Sequence, residues 1–196
     1  MNLDDWIRNS LFSLLLVFAA CAAPRLIAAD ELPEIANARN SVRLWAHGPA
    51  SCSMVVVAPG HAVTAEHCRD GLLEEGLVDG KRVISMERIG DTDAARIVAP
   101  HLACPCAPMA SAPAKLSDRV FSVGFPYGVI RVLGWGTMQE PPVIPFPMPG
   151  MRAAAVPSAP GSSGGGVFSA SGRLLGTISM TMTGITLTLY TELPLQ

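Results

Sequence analysis

An all-β fold divided into two barrels of similar size is predicted by three features of this 196-residue chain. Short apolar runs bounded by turn residues recur along its length, which is the pattern of strands and not of helices. Glycine (18 residues) and proline (17 residues) are abundant and fall between those runs. The runs also divide into a group of five and a group of six, separated by a proline- and alanine-rich stretch at 100–113. Composition narrows the class further. Half of the residues are apolar (49%) and 15% are charged, which excludes a disordered chain. Fourteen Lys and Arg against sixteen Asp and Glu give a net charge of −2, so there is no basic field to hold nucleic acid.

Taken in order, the chain opens with an apolar run at 11–23, interrupted by Ser13 and closed by Pro24 and Arg25. Its length suits the apolar region of an export signal and falls short of a membrane span. Small residues at 20–22 and 27–29 offer cleavage contexts. Residues 1–29 are therefore expected to be a signal peptide or a membrane anchor. Residues 18–21 also resemble a lipoprotein box ending at Cys21, with Phe18 where an aliphatic residue is usual. The expected location is exported, periplasmic or secreted, with a membrane tether as the alternative.

The first group of runs lies at 41–47, 52–57, 62–65, 82–89 and 93–99. It predicts an N-terminal barrel over 30–104. Residues 105–117 are expected to link it to a C-terminal barrel over 118–196, with runs at 119–125, 129–138, 151–156, 166–170, 173–180 and 184–191. Alternation is clean at 185–191, as for a strand with one face buried. Residues 69–75 are expected to hold at most a helical turn. Seven prolines lie within 141–160, a density no central strand tolerates, so a long loop is expected there.

Of five cysteines, Cys52 and Cys68 flank a strand–turn–strand segment with Pro59 and Gly60 at its tip. A hairpin brings its outer ends together, so the pair reads either as a disulfide or as two buried thiols. Cys104-Pro105-Cys106 reads either as a tight bridge or as a thiolate pair with His101 as a third metal ligand. Two bridges would leave Cys21 over, in keeping with its removal or lipidation.

Three segments carry chemistry: Thr64-Ala65-Glu66-His67-Cys68, Asp91-Thr92-Asp93-Ala94-Ala95, and Pro160-Gly161-Ser162-Ser163-Gly164-Gly165-Gly166. Glycines around a serine permit a tight turn in which successive N–H groups face one pocket, beside an accessible hydroxyl. Such a pocket can hold a developing oxyanion. A hydroxyl is a weak nucleophile until a base takes its proton, and an imidazole oriented by a carboxylate suits that task near neutrality. His67, Asp93 and Ser163 would fill those roles, with Asp91 competing for the carboxylate and Ser162 for the hydroxyl.

With these segments in place, the chain resembles the trypsin/chymotrypsin-like serine proteases, whose catalytic order is His, Asp, Ser. TAEHC is close to the family's TAAHC, and GSSGGG is close to GDSGGP or GNSGGP. Phe121-Ser-Val-Gly-Phe-Pro-Tyr-Gly128 looks like the opening of the second barrel in HtrA-type members. Leu175-Gly-Thr-Ile-Ser-Met180 looks like the strand that pairs with substrate. The resemblance covers about 41–192. It implies two six-stranded antiparallel Greek-key barrels with the active site in the cleft between them, and a Cys52–Cys68 disulfide. It implies a serine endopeptidase acting on protein or peptide substrates without a metal or an organic cofactor. Gly161 and Ser163 would supply the oxyanion N–H groups.

Departures from the family pattern are also informative. Ser162 replaces the aspartate that receives a new N-terminus in trypsin-like zymogens, so that activation switch is not expected. The pocket walls would be Pro157, Ser158 and Ala159 on one side and Ser179, Met180 and Thr181 on the other. Neither contains a carboxylate, so cleavage after small or medium apolar residues is expected. Glu66, where the family has alanine, is expected to perturb His67. The competing readings are a decayed protease-like binding module and a surface lipoprotein.

Overall fold

The computed structural model describes residues 32–141, 150–182 and 186–194. The signal or anchor expected at 1–29, with Cys21, lies outside the described residues, as does most of the proline-rich segment before Gly150. Among the described residues, no helix is long and apolar enough to cross a membrane. Residues 33–196 form one compact unit.

The fold is all-β, in two antiparallel sheets. The first contains β1 (Val42–His47), β2 (Ala50–Ala58), β3 (His61–Thr64), β4 (Leu77–Val78), β5 (Lys81–Arg82), β6 (Ser85–Arg88) and β7 (Ala95–Val98). Their order across the sheet is β5-β4-β1-β2-β3-β7-β6. This is seven strands, where the apolar runs marked five and the resemblance implied six; β4 and β5, of two residues each, are too short to register as apolar runs. The second sheet closes into a six-stranded barrel, in the order β10-β13-β12-β11-β8-β9. Its strands are β8 (Arg119–Gly124), β9 (Val132–Gln139), β10 (Met151–Ala154), β11 (Gly166–Ser169), β12 (Leu174–Met182) and β13 (Leu187–Glu192).

Two expectations are corrected. The loop placed at 141–160 is interrupted by β10, which pairs with β13 and β9. Residues 150–156 contain no proline, so every N–H there can join the ladder. In addition, Pro33–Ser41 forms the helix α1, where no helix was expected. Pro33 sits in its first turn, where a missing N–H costs nothing. Glu34 near its start and Arg39 near its end complement the helix dipole. Ile35, Ala38 and Ser41, three residues apart, are its buried face.

Packing explains why the two sheets keep a fixed relation. One core cluster, including Trp45, Met54 and Ile97, fills the first sheet. Another, including Val120, Met138, Ile178 and Tyr190, fills the barrel. A third belongs to both halves, joining Ile35 and Ala38 of α1 with Val55 and Val63 and with Phe121, Val123 and Phe168. Phe121 stacks on Phe168 with ring centroids 5.2 Å apart. Burying a side chain the size of Ile35 contributes about 1.5–3 kcal/mol, so α1 anchors the start of the unit.

Candidate active site

The strand β3 ends at Thr64, and the chain turns at once through a short 3-10 segment, Glu66–Cys68, that carries His67. Cys68 is bridged to Cys52 on the neighbouring strand β2, with Cα atoms 6.2 Å apart, which fixes this corner covalently. Asp93 precedes β7, the other neighbour of β3, and faces the same corner.

His67 and Asp93 meet. The imidazole Nδ1 lies 2.9 Å from one carboxylate oxygen of Asp93 and 3.1 Å from the other, and the His67 backbone N–H donates to the same carboxylate at 3.0 Å. An ionised carboxylate only accepts, so Nδ1 carries the proton and Nε2 is left as the basic nitrogen. The Asp93 side chain is 6% exposed and that of His67 is 47% exposed, so the outer edge of the ring is open. The hydrogen bond to Asp93 raises the pKa of His67 above its ordinary value near 6.5, against the opposing effect of burial. Burial alone would push the Asp93 carboxyl up, but the His67 side chain and backbone N–H, with the Ser179 hydroxyl, hold it below the usual carboxylate range. Asp91 is exposed and takes no part. Glu66 does not crowd the imidazole as expected, because Arg69 draws its carboxylate away with bonds of 2.8 and 3.3 Å.

Ser163 comes from the other half, in the turn before β11. Its carbonyl accepts a 2.7 Å bond from the Ser53 N–H of β2, and Cys68 Sγ lies 3.9 Å from the same oxygen. The Ser163 turn therefore lies directly against the corner that carries His67. Ser162 points inward, 2% exposed, and accepts from the Ala159 N–H. His67 makes all its hydrogen bonds among the described residues to Asp93, and none to Ser163. Contacts of this kind are often long until substrate is bound.

Backbone accounting singles out two amides in this turn. The N–H of Ala159 goes to Ser162 Oγ, that of Ser162 to Ala159 C=O, that of Gly164 to Ile178 C=O and that of Gly165 to Ser162 C=O. Among the described residues, the N–H groups of Gly161 and Ser163 find no acceptor. Pro160 C=O accepts from the Tyr127 N–H at 2.6 Å. In a trans peptide the N–H points opposite to the C=O, so this bond sets the direction of the Gly161 N–H.

Ser163 lines a cavity of about 590 Å³ together with all six residues expected as pocket walls: Pro157, Ser158, Ala159, Ser179, Met180 and Thr181. Among the described residues, no acidic or basic side chain lines it. Ser158 Oγ lies 2.5 Å from Thr181 Oγ1 and 2.7 Å from Thr188 Oγ1, so hydroxyls join the two walls.

Cys104 and Cys106 are joined as a disulfide, and His101 bonds to the Val78 carbonyl, which disposes of the thiolate metal site. Among the described residues, no group of His, Cys, Asp or Glu could hold a metal ion. Two residues of the site escaped sequence reasoning, Ser53 and Tyr127. Their partners are distant in the chain: Ser53 belongs to no local motif, and Tyr127 was read only as part of the 121–128 segment, with no role at the site.

This architecture matches solved structures of proteases. The active form of the Rv3671c protease from M. tuberculosis aligns with a TM-score of 0.68 at 19% identity, over 87% of this chain and 82% of that one. The chain has the trypsin-like serine protease fold. HtrA-type members share it: AlgW with a tripeptide aligns with a TM-score of 0.69 at 18% identity, over 81% of this chain and 58% of that one. A serine endoprotease from Yersinia pestis gives 0.69 at 17% identity, over 81% and 61%. No protein-family model matches the sequence of this trypsin-fold chain. No curated protein matches it either.

Proposed function

We propose that the chain is a serine endopeptidase that works through an acyl-enzyme formed on Ser163. The observation that carries this reading is the Nδ1-bonded His67–Asp93 pair, set at the corner against which the Ser163 turn is hydrogen-bonded. In the proposed cycle, Nε2 of His67 takes the Ser163 hydroxyl proton as Oγ attacks the peptide carbonyl. Asp93 holds the ring in the tautomer that leaves Nε2 basic and stabilises the imidazolium. The N–H groups of Gly161 and Ser163, which lack protein acceptors among the described residues, would donate to the oxyanion. The imidazolium then protonates the leaving amine, and water enters by the same route in reverse. No step calls on a metal or an organic cofactor.

The pocket supports cleavage after small or apolar residues. It offers no charge to pair with Lys or Arg, and the Ser158–Thr181 bond ties its walls together. Two disulfides fit an oxidising, exported location, where such bonds persist.

Digestion of a peptide library by the wild type and by Ser163→Ala tests this reading. The expected wild-type products end in Ala, Val, Ser or similar residues, and the variant yields none. A variant as active as the wild type would remove Ser163 as the nucleophile, and a wild type that yields no products would return the chain to a binding role. Arg- or Lys-ended products would refute the assigned preference.

A further inference from the structure

We propose that Ser53 is a positioning residue that locks the nucleophile turn into its oxyanion-binding shape from the opposite half of the molecule. This rests on the serine endopeptidase reading of Ser163. Ser53 is fully buried on β2 and follows Cys52, whose bridge leads to the residue beside His67.

Every polar atom of Ser53 is engaged, and three of its four bonds reach across to the second half. Its N–H donates to Ser163 C=O at 2.7 Å. Its Oγ donates to Gly161 C=O at 2.9 Å and accepts from the Phe125 N–H at 2.9 Å. Its own C=O accepts from Thr64 Oγ1 at 2.7 Å. One residue thus fixes the carbonyls of both amino acids whose N–H groups are offered to the oxyanion. Phe125 leads directly into the turn whose Tyr127 N–H holds Pro160 C=O.

The geometry gives this bond set a purpose beyond stability. Gly161 has φ +91°, a conformation in which a glycine peptide can readily rotate. Rotation of its neighbouring peptides would swing the Gly161 N–H away from the pocket. The peptide that carries this N–H is held by Tyr127 at Pro160 C=O, and the buried Ser53 hydroxyl pins the following peptide at Gly161 C=O, so both peptides flanking Gly161 are held. Ser162, where a zymogen would carry its switch aspartate, makes only a local bond to Ala159. Ser53 supplies the missing hold constitutively, without a cleaved N-terminus.

The test compares wild type with Ser53→Ala in steady-state kinetics and in binding of a peptidyl trifluoromethyl ketone, whose adduct carries an oxyanion. The expected result is a kcat lower by about 10- to 100-fold with KM within about twofold. Affinity for the ketone should fall by the same factor, while affinity for the same peptide ending in a neutral alcohol, which forms no oxyanion, is unchanged. A purely structural role would not separate these two ligands. Hydrogen exchange on the wild type gives a second arm that survives misfolding of the variant. The Phe125 amide should exchange far more slowly than those of Gly161 and Ser163.

Unchanged kcat and ketone affinity in a folded Ser53→Ala would overturn the proposal, as would a Phe125 amide exchanging as fast as that of Gly161. A wild type inert to substrate would remove the endopeptidase reading and this proposal with it. An active wild type with an unaffected variant would remove this proposal alone.

Discussion

At the residue scale, the pairing of His67 with Asp93 determines how activity should respond to pH. In the proposed mechanism His67 acts as a base only when neutral, and its pKa is raised above 6.5 mainly by the bond to Asp93. The acid limb of kcat/KM should therefore lie above pH 6.5 in the wild type, since that profile reports the free enzyme. Asp93→Asn removes the cause of the rise and presents a neutral amide to Nδ1. Its limb should move to lower pH, and kcat should fall by about 10⁴-fold, the loss known for this substitution in the family template. A pH–rate series on both proteins checks the direction; a limb that stays in place would mean that the carboxylate does not control the imidazole. Single residues of this kind were legible in the sequence because each lies in a short local motif. Ser53 was not, because its hydroxyl partners lie 72 and 108 positions away.

At the level of elements, the close approach of the Ser163 turn to the first sheet depends on glycine. Gly164 has φ +79°, and a Cβ there would sit 2.0 Å from Thr64 Oγ1 and 2.1 Å from the Ser53 carbonyl. Gly164→Ala should destabilise the protein by roughly 2–5 kcal/mol through overlap and backbone strain. It should also depress turnover in whatever fraction remains folded. Urea unfolding with parallel assays checks both effects, and a midpoint within error of wild type would mean that the turn does not press on β3. The strands themselves were readable as apolar runs between glycines and prolines, down to the alternation that became β13. The elements that escaped were α1, whose buried apolar side chains are only Ile35 and Ala38, and β4–β5, whose four residues bury one side chain. The break in the proline-rich loop was visible only as an apolar run at 151–156, with no hint of its partners.

For the whole molecule, two sheets with separate cores are held together by a third core that includes α1, Val55, Val63, Phe121 and Phe168. This shared packing, with the Ser53 bonds beside it, lets one half present an imidazole–carboxylate pair and the other a serine turn at the same place. The fold class followed from run spacing because each run had to find ladder partners. The relation between the halves did not follow from spacing, since it depends on a shared cluster whose members, such as Val55 and Phe168, are far apart in the chain.

That convergence is tested most directly by treating the intact protein with a fluorophosphonate and locating the adduct by peptide mass mapping, in wild type and in His67→Ala. The account expects a single adduct on Ser163 in the wild type, and its loss or slowing by orders of magnitude in His67→Ala. An adduct elsewhere, or labelling of Ser163 at the same rate without His67, would contradict it.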